Sequence, residues 1–201
     1  ILIHFIRVIL KHQSRLLSQF LFVADGPLSF SGNTASMNAS MRNLCNFLLE
    51  EHNLYLVGLE KSGPFVEHAQ EICAPRGGES LLKPGDFLLL SNEHIYKYIT
   101  PGDPSGDPYG VSSYYSGKVI FHSISGQVLV VTVPIPKQDV IKAPAREKYA
   151  NLEVILSNME KLRCDMYDDS VVPVALANKL VSLANHPSKF LLEKFAGASR
   201  S

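Results

Sequence analysis

Charge is scarce in this chain. Asp, Glu, Lys and Arg make up 19% of its 201 residues and cancel to a net charge of zero. Binding nucleic acid through an overall basic field is therefore excluded, and any polyanion contact has to be a local patch. Cysteine is scarce as well. Cys45, Cys73 and Cys164 stand far apart with no Cys-x-x-Cys, which offers neither a zinc site nor a disulfide framework and fits reduced thiols in an intracellular, cytoplasmic protein. No apolar run is long enough for a bilayer, because His4 and Arg7 interrupt the apolar residues 1–10. No small-residue cleavage site follows them, so a signal peptide is not expected. A Gly-x-x-x-x-Gly-Lys phosphate loop is missing, which leaves ATP hydrolysis to a partner, and without Gly-x-Ser-x-Gly an esterase reading has no anchor. Internal repeats and low-complexity tracts are absent too. Acidic residues are missing altogether before Asp25. The sequence does not begin with Met, and we expect a single domain over residues 1–201 that lacks an N-terminal portion, starting partway along a core helix.

What is present alternates between helical and strand patterns. At 46% hydrophobic, the chain can build one substantial core. Ile3, Ile6, Leu10 and Leu17 predict a helix over 2–18, and Met37, Met41, Leu44 and Leu48 predict another over about 35–51. Short apolar runs at 20–25, 54–59 and 86–90 read as buried strands. Ser62 is a candidate cap for a helix with Pro64 in its first turn, running to about Cys73, and a short helix fits near 92–99. Tyr114–Ser123 and Gln127–Val133 flank Ile124-Ser125-Gly126 as an antiparallel hairpin. Leu152, Ile155, Leu156, Met159 and Leu162 mark an amphipathic helix. A last helix is expected to start at Ser170, with Pro173 in its first turn and Val174, Ala177, Val181 and Ala184 on one face. The sum is an α/β fold with a mixed sheet. The Gly-, Pro- and Asp-rich stretch 100–110 is a loop; its acidic Gly102–Pro108 segment misses the EF-hand spacing and suits a lid or a DNA-facing loop better.

The most informative stretch is Phe20-Leu21-Phe22-Val23-Ala24-Asp25-Gly26-Pro27-Leu28-Ser29-Phe30. An apolar strand runs into an aspartate and Gly-Pro stops it, so a carboxylate sits at a strand end beside a tight turn. A charge against a dry core needs a cation or a donor, and phosphoryl-transfer enzymes place a metal-binding aspartate in such a position. An aspartate before glycine equally serves to cap the turn through its own backbone.

That stretch, with Val57-Gly58-Leu59-Glu60-Lys61-Ser62-Gly63-Pro64-Phe65-Val66-Glu67-His68-Ala69, Tyr115-Ser116-Gly117, and Tyr167 followed by Pro173-Val174-Ala175-Leu176-Ala177-Asn178-Lys179, resembles the NurA nuclease family. The likeness runs from about residue 15 to 195, in four ordered motifs. It implies a ribonuclease-H-like mixed sheet flanked by helices, related to the PIWI domain. The implied activity is a metal-dependent deoxyribonuclease with manganese (or magnesium), two ions, and water attack on the phosphodiester. The implied partners are DNA, a second copy as a homodimer, and a HerA-like hexameric ATPase translocase, in end resection, DNA repair or antiviral defence. Asp25 becomes the metal ligand and Lys61 a point charge that holds phosphate, with Tyr167 and Asn178 at the remaining catalytic positions. His68 and Lys179 become DNA contacts.

Each of these has an ordinary alternative: Lys61 a solvated strand-exit lysine, His68 a half-buried helix residue, Tyr167 a helix-end packing residue, Lys179 part of a solvated face. Two departures from the family pattern matter. The family places carboxylates on an earlier strand and helix, and this sequence has none before Asp25. Asn178 stands where the family has a histidine, and an amide donates a hydrogen bond but carries no proton. The competing expectation is therefore a non-catalytic subunit that docks on the motor and clamps DNA.

Overall fold

The computed structural model describes residues 2–164 and 170–182. Five strands form one mixed sheet in the order β1-β2-β5-β4-β3: β1 Leu21–Asp25, β2 Tyr55–Glu60, β3 Phe87–Leu89, β4 Ser116–His122 and β5 Val128–Pro134. Among the described residues the helices α1 Leu2–Gln13, α2 Asn38–His52, α3 Pro64–Cys73, α4 Asn92–Tyr98 and α5 Leu152–Lys161 flank it. None of the described helices is long and apolar enough to cross a membrane.

β1 and β2 are parallel, with Leu21 opposite Tyr55 and Asp25 opposite Leu59. Parallel neighbours need a crossover of a dozen or more residues, and α2 supplies it. Every other pairing is antiparallel: β2 with β5, β5 with β4, β4 with β3. The expected hairpin is β4–β5, in register from Ser116↔Pro134 to His122↔Val128. Its turn closes through Gly126 N donating to Ser123 O at 3.0 Å. All seven β4 residues are buried, as both faces of this central strand are covered.

Successive strand residues face opposite sides, and β2 divides the core accordingly. Leu56 packs with Ile6, Leu17, Met41, Cys45 and Leu48 against α1 and α2. Val57 and Leu59 join the larger cluster of α3, α5 and the hairpin, including Phe65, Val131, Ile155 and Met159.

The element ends depart from the sequence reading at several points. The expected helix over 2–18 breaks after Gln13, whose φ of −152° is not helical, and continues as a 3-10 turn over Ser14–Gln19. Likewise the expected start near 35 is a 3-10 segment, Gly32–Met37, before α2 proper begins at Asn38. Ser62 does not cap α3; Gly63 occupies that position at φ 101°, with Pro64 next. Residues 172–182 are helical, but Ser170 Oγ reaches Val171 O at 3.5 Å instead of capping the turn. On that segment Val174 is buried, whereas Ala177 and Val181 are exposed.

Candidate functional site

The parallel register puts the carboxyl ends of β1 and β2 at one level. Asp25 is opposite Leu59, and Lys61, two residues beyond Leu59, returns to the same side. Its ammonium lies 2.6 Å from Asp25 Oδ1, with the two side chains 34% and 43% accessible for Lys61 and Asp25. Two residues 36 positions apart in the sequence thus form one solvent-facing ion pair beside a turn. Such an exposed pair contributes about 0.2–1 kcal/mol to stability.

The turn after Asp25 is fixed by the sheet. Gly26 N donates to Leu59 O at 2.9 Å. Leu28 N then donates to Thr132 Oγ1 at 2.9 Å, and Ser116 Oγ donates to Leu28 O at 3.0 Å. Gly58 leaves room for this fold-back, since a Cβ there would lie 2.5 Å from Gly26 O.

Behind the exposed pair lies a buried one. Glu60 faces the side opposite Lys61, where Gly58, Thr132 and Lys118 are consecutive register partners across β2, β5 and β4. Lys118 Nζ donates to Glu60 Oε1, and the two residues are 2% and 9% accessible. The same ammonium sits 4.0 Å from the centre of the Phe65 ring and 4.3 Å from that of Tyr114, and it reaches the Tyr114 hydroxyl at 3.2 Å. Burial pulls the Lys118 ammonium below its ordinary range, and Glu60 pulls it back up. Tyr114 is half-buried, and its burial, with the charge of Glu60 second, pushes it well above the usual phenol range, so it remains a neutral hydroxyl.

The other residues that the sequence singled out lie elsewhere. His68, on α3, meets His94 of α4 with their Nε2 atoms 2.8 Å apart and the rings edge to face. Burial lowers both imidazoles below their ordinary value; Glu71 partly offsets this at His68, and His68 adds to it at His94. Asn178 and Lys179 are exposed on the segment 172–182, and none of the hydrogen bonds or ion pairs found among the described residues joins either to Asp25 or Lys61. Tyr167 lies outside the described residues. Sequence reasoning missed Glu60, Lys118, Tyr114 and Thr132. The available signal was a lysine in the middle of an otherwise apolar strand, which alternation alone assigns to solvent.

A two-ion centre at Asp25 needs several ligands around one spot. Among the described residues no group of three or more His, Cys, Asp or Glu side chains gathers, and the cation beside Asp25 is Lys61. These residues alone do not fit a pair of divalent ions. Comparison with protein-family models, with characterised proteins and with solved structures finds no match to this chain.

Proposed function

We propose that this chain is a NurA-like subunit that acts on the DNA backbone, with Asp25 and Lys61 as its working pair. The observation that supports the reading is their meeting at 2.6 Å on the open carboxyl ends of two parallel strands. Crevices beyond the carboxyl ends of parallel strands are where α/β proteins hold ligands. In this reading Lys61 holds a phosphate oxygen as a point charge, and Asp25 supplies one carboxylate to a manganese-dependent phosphodiesterase. The further carboxylates that such a site needs are not gathered around Asp25 among the described residues. The ribonuclease-H-like fold, a homodimer and a HerA-like motor belong to the same proposal.

A second reading is favoured by two observations: no acidic cluster surrounds Asp25 among the described residues, and position 178 carries an amide. There the subunit clamps DNA for a motor and cuts nothing, with Lys61 keeping its role and Asp25 holding Lys61 in place.

The deciding assay is cleavage of linear DNA with manganese, with and without a HerA-like motor, for the protein, Asp25→Asn and Lys61→Met. Cutting that is lost in a monodisperse Asp25→Asn establishes the first reading. DNA retention without cutting under every condition, weakened in Lys61→Met, establishes the second. If the protein neither cuts nor binds DNA, both readings fall.

A further inference from the structure

The connection between β2 and α3 is three residues long, Lys61-Ser62-Gly63, and Lys61 is its first residue. The two residues that flank it at a short remove, Glu60 at the end of β2 and Phe65 in the first turn of α3, rest on one atom. Glu60 binds Lys118 Nζ through its carboxylate, and Phe65 lays its ring 4.0 Å from the same nitrogen. Between these two anchors the backbone turns through Gly63 at φ 101°, whose carbonyl accepts from Val66 N at 3.0 Å and from Glu67 N at 3.1 Å. Lys118 itself is held by β4, in the middle of the hairpin, and Tyr114 closes the cage from the loop side.

A buried ion pair is a poor way to obtain stability, because apolar residues of similar volume do as well or better. What it offers instead is position. Adjacent residues Glu60 and Lys61 are drawn to opposite faces, each by its own partner, so fixing Glu60 fixes where Lys61 can point. We infer that Lys118 is a positioning residue: it pins both ends of the segment 60–65 and thereby sets Lys61 against Asp25. The inference rests on the reading of Asp25 and Lys61 as the working pair.

The test reads geometry without DNA. The variant Lys118→Met/Glu60→Met removes both buried charges together and leaves none unpaired, and methionine packs well on the Phe65 ring. The measurement is the acylation rate of each lysine by an N-hydroxysuccinimide acetate, followed by mass spectrometry, in the wild type, in this variant and in Asp25→Asn. Asp25→Asn gives the rate of a Lys61 ammonium with no carboxylate beside it. We expect Lys61 to react about 1.4- to fivefold faster in the double variant than in the wild type, the span an exposed ion pair is worth, with the exposed Lys97 unchanged. A folded double variant whose Lys61 reacts at the wild-type rate overturns the inference. Should the double variant fail to fold, Phe65→Leu keeps the ion pair and removes one anchor. A smaller acceleration at Lys61 then supports the pin, and none overturns it. An inactive nuclease leaves this result standing, and an unmoved Lys61 leaves the nuclease reading standing.

Discussion

Alanine at position 58 puts a methyl group where the turn after Asp25 already lies. Its Cβ would be 2.5 Å from Gly26 O, 2.5 Å from Thr132 Oγ1 and 2.9 Å from Leu28 N. Comfortable contact begins at about 3.5 Å, so the turn and β2 would have to separate by on the order of 1 Å. Two of the three colliding atoms are backbone and cannot rotate away. Overpacking of this kind costs about 1–3 kcal/mol, and losing the bond from Leu28 N to Thr132 Oγ1 adds about 1 kcal/mol. The expected total is about 3 kcal/mol, or roughly 10 °C in Tm for a chain of this size. Elsewhere in a strand the same exchange stabilises by roughly 0.5–1 kcal/mol, because alanine has less backbone entropy to lose. The sign therefore separates the two cases. Thermal unfolding of Gly58→Ala measures it, and adding Thr132→Ala should restore only a minor part, since the Gly26 carbonyl remains in the way. A Gly58→Ala melt at or above that of the wild type would refute the placement of the turn on Gly58.

Three further outcomes are expected. Lys61→Met should change unfolding free energy by less than about 1 kcal/mol in chemical denaturation, since its pair with Asp25 is half open to water. The protein should lose stability as pH falls through and below about 6.5. His68 and His94 are lowered in the fold, so the unfolded chain takes up protons first; the contribution is full above 6.5 and fades towards the lower folded values. Melting curves at pH 7.5 and 5.0 should show a smaller difference in His94→Gln than in the wild type. Cys45 and Cys73 should resist a disulfide reagent at pH 8 and react only on unfolding, because burial pushes their thiols up to about 12 and about 11.

Much of the fold was legible. The apolar runs at 20–25 and 54–59 became β1 and β2 to within one residue; β2 is buried from Leu56 on, as expected, whereas β1, at the sheet edge, is only half-buried and ends in an exposed Asp25. Ile124-Ser125-Gly126 between two apolar runs marked the hairpin, and the strands pair across it as expected. Asp25 and Lys61 were legible as single residues, one before Gly-Pro and one at a strand exit. Their meeting was not, because it depends on the register of β1 against β2. Lys118 was hidden for a related reason: a lysine in a strand reads as the wet face, and only the covering of β4 on both sides makes it dry. The end at Gln13 and the 3-10 turn after it follow from packing of Leu17 into the core, against a helical period that continued through it. Asn178 was read from resemblance alone, and its exposed place on 172–182 follows from tertiary packing that no local pattern carries.

β1 is the outermost strand on its side of the sheet, and β2 is the one strand it pairs with among those described. Among the described residues no strand pairs with the other row of its N–H and C=O groups, along Leu21-Phe22-Val23-Ala24, and Asp25 is the sole charge on the strand. An open apolar edge invites a foreign strand, and a charge at its end is what discourages one. On that principle Asp25 is the one charge on β1 that would oppose such pairing. Neutralising it exposes the edge in the same stroke that removes the carboxylate, so Asp25→Asn should be compared with Asp25→Glu by light scattering at working concentration. A loss of activity that tracks particle size would belong to the edge, and one that appears in the monodisperse protein to the carboxylate.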